Sequence, residues 1–177
     1  MKKIQTAIND LLVFEPSVLG DERGFFMETF RAEWLLDYTF IQDNHSKSVG
    51  GTLRGMHYQL QKPQGKLVRV SAGEVYDVAL DLRQSSSTFR HWYGITLSSE
   101  NKRLLWVPPG FAHGFLVTSD AAEVQYKCTN YYAPTDEHSI AWDDPALAID
   151  WPLMGVAPLL SAKDRRGVLF NDAVYYD

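Results

Sequence analysis

Residues 66–83 read Lys66-Leu-Val-Arg-Val-Ser-Ala-Gly-Glu-Val-Tyr-Asp-Val-Ala-Leu-Asp-Leu-Arg83. Two alternating runs flank a glycine. In the second run Tyr76, Val78, Leu80 and Leu82 share one face, and Asp77, Asp81 and Arg83 lie opposite. That period of two marks a strand. In the first run Lys66 shares its face with Val68 and Val70, while Arg69 points the other way. The short Ala72-Gly-Glu74 connection predicts a hairpin.

The same pattern continues outward. Upstream, Leu11–Phe14 is an opening strand stopped by Glu15-Pro16, and Asp21–Gly24 is a turn. Gly24–Arg31 alternates, with Phe26, Glu28 and Phe30 on one face. Ala32–Tyr38 is the one early helix. Phe40–Ser46 is polar but strand-like, Gly50-Gly51 breaks it, and Leu53–Gln59 follows. Downstream, Trp92–Leu97 and Leu104–Val107 are strands, and Pro108-Pro-Gly110 is a tight turn. Phe115–Ser119 and Glu123–Thr129 predict a second hairpin, and Ser139–Trp142 is a last short strand. Beyond Trp151 the periodicity fades. Roughly ten short strands, with turn signals about every 8–12 residues, define an all-β sandwich or barrel. The expected architecture is a single jelly-roll barrel over residues 1–177, with a few short helices and a ligand held in its mouth.

Composition narrows the function. The chain has 177 residues, 45% of them hydrophobic, enough for one well-packed core. A net charge of −5 argues against nucleic acid or an anionic membrane as partner. An anionic ligand would need a local cationic site. Cys128 is the only cysteine, which excludes an intrachain disulfide and favours the cytoplasm. No segment approaches the ~18 apolar residues of a membrane helix, and Met1-Lys-Lys does not lead into a signal peptide.

The chemistry gathers around Leu53-Arg-Gly-Met-His-Tyr-Gln59 and Gln64-Gly-Lys-Leu-Val-Arg69. His57 shares its parity with Leu53 and Gly55, the face expected to look inward. Neutral imidazole accepts a proton near pH 7, and a carboxylate beside it would set its tautomer. Asp77, Asp81 and Asp164 are the carboxylates available. Lys66 is either a surface lysine or a buried ammonium facing a developing oxyanion. Arg54 either faces out or is re-aimed by a bulge at Gly55. His113 sits between aromatics after a Pro-Pro-Gly turn, as a core histidine or a functional one. Tyr126 shares a face with Val124 and Cys128, pointing inward as packing or as a general acid. Tyr131 or Tyr132 could stack on a ring. No His-x-His pair with a spaced glutamate, no phosphate-binding glycine loop and no nucleophile elbow is present. What remains is acid–base chemistry.

Phe40-Ile-Gln-Asp-Asn-His-Ser46, Leu53–Gln59, Gln64–Val70, Gly73–Arg83, Pro109-Gly-Phe-Ala-His-Gly-Phe115 and Ser161-Ala-Lys-Asp164 stand in order along the chain. With them the chain strongly resembles the dTDP-4-dehydrorhamnose 3,5-epimerases, from about residue 8 to 170. The resemblance implies a cupin-type jelly roll and a homodimer that exchanges strands. It implies no metal and no cofactor, and a dTDP-linked 4-keto-6-deoxyhexose as substrate. It further implies His57 as the base, paired with Asp164, and Tyr126 as the acid on the opposite face. Lys66 would hold the sugar O4, and Tyr132 would stack on thymine. Arg23, Glu28, Gln42, Asn44, Arg54, His113, Glu137 and Lys163 match substrate-contacting positions, some of them reaching the partner subunit's site. Relatives that invert only C3 or only C5 carry nearly the same residues, and a non-catalytic sugar-nucleotide-binding barrel is the remaining alternative.

Overall fold

Alternation does produce strands, and the long-range pairing is what departs from expectation. The computed structural model describes residues 1–153 and 155–177. In chain order the strands are β1 (Lys2–Gln5), β2 (Leu12–Glu15), β3 (Leu19–Asp21), β4 (Gly24–Phe26), β5 (Gln42–Val49), β6 (Leu53–Gln59) and β7 (Lys66–Ala72). They continue as β8 (Glu74–Asp81), β9 (Trp92–Ser98), β10 (Leu104–Val107), β11 (Phe111–Val117), β12 (Ala121–Cys128) and β13 (Glu137–Ser139). The expected early helix is only a 3₁₀ turn, Ala32–Trp34. Among the described residues no helix is long and apolar enough to cross a membrane.

Two main sheets form. One has the order β1-β2-β10-β7-β12-β5, the other β13-β6-β11-β8-β9, and β3-β4 is a separate small hairpin. The sheets are distinct layers of a jelly roll, not a closed barrel. The two predicted hairpins are therefore corrected. β7 and β8 lie in opposite sheets, as do β11 and β12. Each short turn carries the chain from one layer to the other. At Gly73, with φ +73°, a Cβ would stand 2.0 Å from the Ala121 carbonyl oxygen, so the crossing needs glycine.

Both faces of β8 are buried, which explains why it is not half of a solvated hairpin. Val75 and Ala79 join Val68, Val70, Phe115 and Val124 in the core between the sheets. Val78, Leu80 and Leu82 face the other way, under Leu147, Trp151 and Phe170 of the C-terminal segment. That segment lacks periodicity because it is a cover. It is tied down by side chains: Tyr58 Oη donates to the Val174 carbonyl at 2.7 Å, and Asp144 accepts the Phe170 N–H. On the far side of the six-stranded sheet, Leu67, Leu104 and Trp106 pack against Leu35, Trp34 and Phe40. Each fully buried side chain of this size contributes about 1.5–3 kcal/mol.

Candidate active site

Strict alternation along β6 would put Arg54 and His57 on opposite faces. The structure breaks that alternation at Gly55. Opposite β11, His57 pairs with His113 but Arg54 pairs with Phe115, so the register slips by one residue between them. Gly55 has φ +133°, and a Cβ on it would lie 2.5 Å from Gly114 Cα. Arg54 and His57 consequently both line the cleft. Leu53 joins Met56 and Tyr58 beneath the C-terminal cover. His57 thus does not share its face with Leu53, as parity alone suggested; the slip reverses it.

The slip also turns the Gly55 N–H toward Asp164, which is 3% exposed. Asp164 Oδ1 accepts that N–H at 3.1 Å, and Oδ2 accepts the Ser161 N–H at 3.1 Å and the Ser161 hydroxyl at 2.5 Å. His57 Nε2 stands 2.7 Å from Oδ1. The approach is close but off the line of the ring N–H, so Nε2 makes no aligned hydrogen bond. Burial alone would raise the Asp164 carboxyl. The contacts from His57, Ser161 and Gly55 outweigh it and hold the group well below the usual carboxylate range. For His57 the balance is opposite: burial lowers its pKa more than Asp164 raises it. The imidazole is neutral at neutral pH, as a base must be.

The facing sheet supplies the other groups. Lys66 shares the inner face of β7 with Val68 and Val70, and Arg69 turns outward to Gln125, as parity predicts. Lys66 keeps some opening to the cleft but lies deep, and burial lowers its pKa. Cys128, its cross-strand partner, cannot supply charge at pH 7, because burial pushes that thiol up. Asp77 and Glu137 are the anions that favour the ammonium. Tyr126 also faces in, packed against the inner core. Burial pushes its phenol up, so it stays protonated. Gln42 and Asn44 line the same cleft from β5.

The cleft measures about 390 Å³. At its rim Tyr132 Oη donates to Glu137 Oε2 at 2.9 Å, and Lys163 Nζ reaches Glu137 Oε1 at 2.7 Å. Burial raises Glu137, but these two partners outweigh it and lower its pKa. His113 Nε2 lies 2.8 Å from Asp77 Oδ1 in a second buried His–carboxylate pair. Asp81, the third candidate, instead holds Arg83, Ser86 and Thr88 away from the cleft. Among the described residues no three His, Cys, Asp or Glu side chains gather as a ligand set.

Arg23 and Glu28 are the two expected residues not brought to this cleft. Arg23 pairs with Asp21 on the exposed β3–β4 hairpin, and Glu28 pairs with Arg31. Asp77, named only as a candidate partner of His57, instead meets His113, while Ser161 and Gln59 had been given no role. Gln59 anchors the tyrosine loop, donating to the Tyr131 carbonyl and accepting the Ala133 N–H. Ser161 had a legible signal: Ser-x-x-Asp is a capping-box pattern, and the Asp164 N–H returns to Ser161 Oγ at 3.2 Å. Asp77 had none.

A two-sheet jelly roll with imidazole, phenol and a deep ammonium around one cleft has the equipment of an isomerase that works by proton transfer. Over residues 5–172 the chain matches, and belongs to, the dTDP-4-dehydrorhamnose 3,5-epimerase family. It is 54% identical over 178 residues to the dTDP-4-dehydrorhamnose 3,5-epimerase of Pseudomonas aeruginosa, covering 98% of both chains. It is 54% identical over 182 residues to that of Shigella flexneri, covering 99% of both. A crystal structure of the Legionella pneumophila dTDP-6-deoxy-D-glucose-3,5-epimerase with dTDP-4-keto-L-rhamnose superimposes with a TM-score of 0.94 at 52% identity. That match covers 98% of this chain and 94% of the other.

Proposed function

We propose that the protein epimerises dTDP-4-dehydro-6-deoxy-D-glucose at C3 and C5, giving dTDP-4-dehydro-L-rhamnose. The C4 ketone acidifies both neighbouring carbons. His57 removes a proton; with Nε2 turned to Asp164, Nδ1 is the nitrogen left for the substrate. The resulting enolate carries its charge on O4, where the Lys66 ammonium stabilises it. Tyr126 returns a proton to the opposite face of the ring and inverts the centre. Each well-placed transfer is typically worth ~10²–10⁴ in rate. The observation that carries this reading is the shared cleft of neutral His57, protonated Tyr126 and deep Lys66.

Tyr132 stacks on thymine, and Gln42, Asn44, Arg54, His113, Glu137 and Lys163 contact the nucleotide sugar. Arg23 and Glu28 act in a homodimer, reaching the partner's cleft. In support, the β3–β4 hairpin exposes Phe25 at 60% and Phe26 at 68%, an apolar surface suited to a second copy. The cytoplasm is the site of action.

Proton NMR of the substrate in D₂O with catalytic enzyme tests the reading. Deuterium entering at both C3 and C5 is expected. Exchange at one carbon only would assign the protein to single-centre epimerisation of a related sugar. No exchange would sink the enzyme reading.

A further inference from the structure

Between the end of β12 at Cys128 and the start of β13 at Glu137 the chain leaves both sheets, and Tyr132 stands in that stretch. Its ring is 50% exposed and, among the described residues, joins none of the three core clusters. Apolar packing therefore does not fix it. Polar contacts do: the Tyr132 N–H donates to Gln42 Oε1 at 2.9 Å, and its hydroxyl donates to Glu137.

The backbone on either side is held by a residue that does not line the cleft. Gln59, 3% exposed, stands behind it on β6. Its Nε2 donates to the Tyr131 carbonyl at 3.1 Å and to the Lys62 carbonyl at 2.7 Å, and its Oε1 accepts the Ala133 N–H at 2.8 Å. Both hydrogens of the carboxamide are used, and its oxygen meets a donor. The Gln59 backbone also pairs with Glu137 across β6 and β13. Asp136 returns the contact, accepting the Gln61 N–H at 2.9 Å and the Lys62 N–H at 2.7 Å. The two side chains clasp residues 59–62 to residues 131–136, each satisfying the backbone of the other's segment. Gln42 belongs to the six-stranded sheet and Gln59 to the five-stranded one, so Tyr132 is tethered to both layers.

We propose that Gln59 and Asp136 are positioning residues for nucleotide recognition, a clasp that sets the Tyr132 ring in the free protein where the base stacks. The inference rests on the assignment of Tyr132 to thymine. A half-exposed ring on an irregular stretch would otherwise be ordered only on binding, and that ordering weakens affinity. The base lies at the opposite end of the nucleotide sugar from the reacting carbons, so the clasp acts on binding and not on turnover.

The test is a double-mutant cycle between Gln59→Met and Tyr132→Ala, read as dTDP affinity, with KM and kcat for the 4-keto sugar measured beside it. Gln59→Met should weaken dTDP binding about 3–10-fold and raise KM in proportion, with kcat within about twofold of wild type. The Ala133 amide should lose protection from hydrogen exchange. In the Tyr132→Ala background the same substitution should change dTDP affinity by less than about twofold, since no ring remains to be placed. A glutamine that only supports the fold would give equal losses with and without the ring, and that result would overturn the proposal. So would unchanged dTDP affinity in Gln59→Met, or a fall in kcat with KM unchanged. Should Gln59→Met fail to fold, Asp136→Ala, whose carboxylate faces solvent, takes its place in the cycle with an expected loss of about threefold, and no loss there would overturn the proposal equally. Tyr132→Ala binding dTDP as tightly as wild type would overturn the stacking assignment and the proposal with it, whereas a weakened Tyr132→Ala beside an unaffected Gln59→Met would overturn the proposal alone.

Discussion

His57 and His113 stand directly opposite one another on β6 and β11, and each leans on its own buried carboxylate, Asp164 and Asp77. The two pairs are not equivalent. Asp164 comes from the C-terminal cover and is reached only because β6 slips at Gly55, whereas Asp77 belongs to the adjacent strand β8. In the proposed mechanism the first pair moves the proton, and His113 contacts substrate.

His57→Ala should abolish solvent exchange at both carbons while the protein stays folded, because the ring faces the cleft. Near-wild-type deuterium incorporation by this variant would remove His57 from the role of base.

Asp164→Asn should lower kcat/KM by about 10²-fold. It should also move the acid limb of the pH–rate profile. Burial places the His57 pKa below its ordinary 6.5, and Asp164 pulls it part of the way back. Without that carboxylate the pKa falls further, so the limb moves to lower pH. Stability gives a second sign check. The folded Asp164 pKa is depressed, so its stabilisation is full above the unfolded value near ~3.9 and is lost as pH falls below it. Acid titrations of the variant should lack that component. An unmoved acid limb would separate Asp164 from His57.

Lys66→Met should reduce kcat by roughly 10²–10³-fold, the usual cost of one oxyanion-stabilising group. Thermal stability should not suffer, since the change removes a deep charge with no direct ion pair among the described residues. In the wild type, activity should decline at alkaline pH as Lys66 deprotonates below its ordinary 10.5. Single-turnover rates of Lys66→Met matching wild type would rule out O4 stabilisation by Lys66.

Tyr126→Phe should keep substrate affinity and proton abstraction but impair inversion. Deuterium washing in with retained configuration is the expected NMR signature. A large rise in Kd with normal inversion would make the hydroxyl a recognition group instead.

Gly55→Ala should destabilise the fold by about 2–4 kcal/mol, from a strained positive φ and a backbone overlap with Gly114. Activity of the folded fraction should fall as well, since Arg54 and His57 depend on the same slip. Chemical denaturation and specific activity measure the two effects. A variant with wild-type stability and turnover would show that β6 reaches its register without glycine.

Much of the fold was legible. Periodicity located most of the strands, and parity correctly turned Tyr126 inward and set Arg69 on the face opposite Lys66, whose burial it left open. β1 was not legible because it forms by edge pairing with β2, and the shortness of Ala32–Trp34 was not because that turn packs against the outer face of the six-stranded sheet. Among the site residues, Arg23 and Glu28 carried a motif match, yet neither lies at this cleft.

By itself the sequence determined the all-β class, the acid–base character of the chemistry and the family. These rest on local features: an alternation of two, turn residues and short motifs. Strand pattern left three things to the tertiary structure, the last of which the family resemblance had already implied. The short turns after β7 and β11 cross between sheets. The slip at Gly55 sends Arg54 and His57 to one side. Asp164, rather than Asp77 or Asp81, meets His57. The physical reason is common to all three. Periodicity describes which face of a strand is apolar, but both faces of β8 and of β11 are buried here. Which strand lies alongside, and which carboxylate lies beneath, is then set by close packing between segments far apart in the chain.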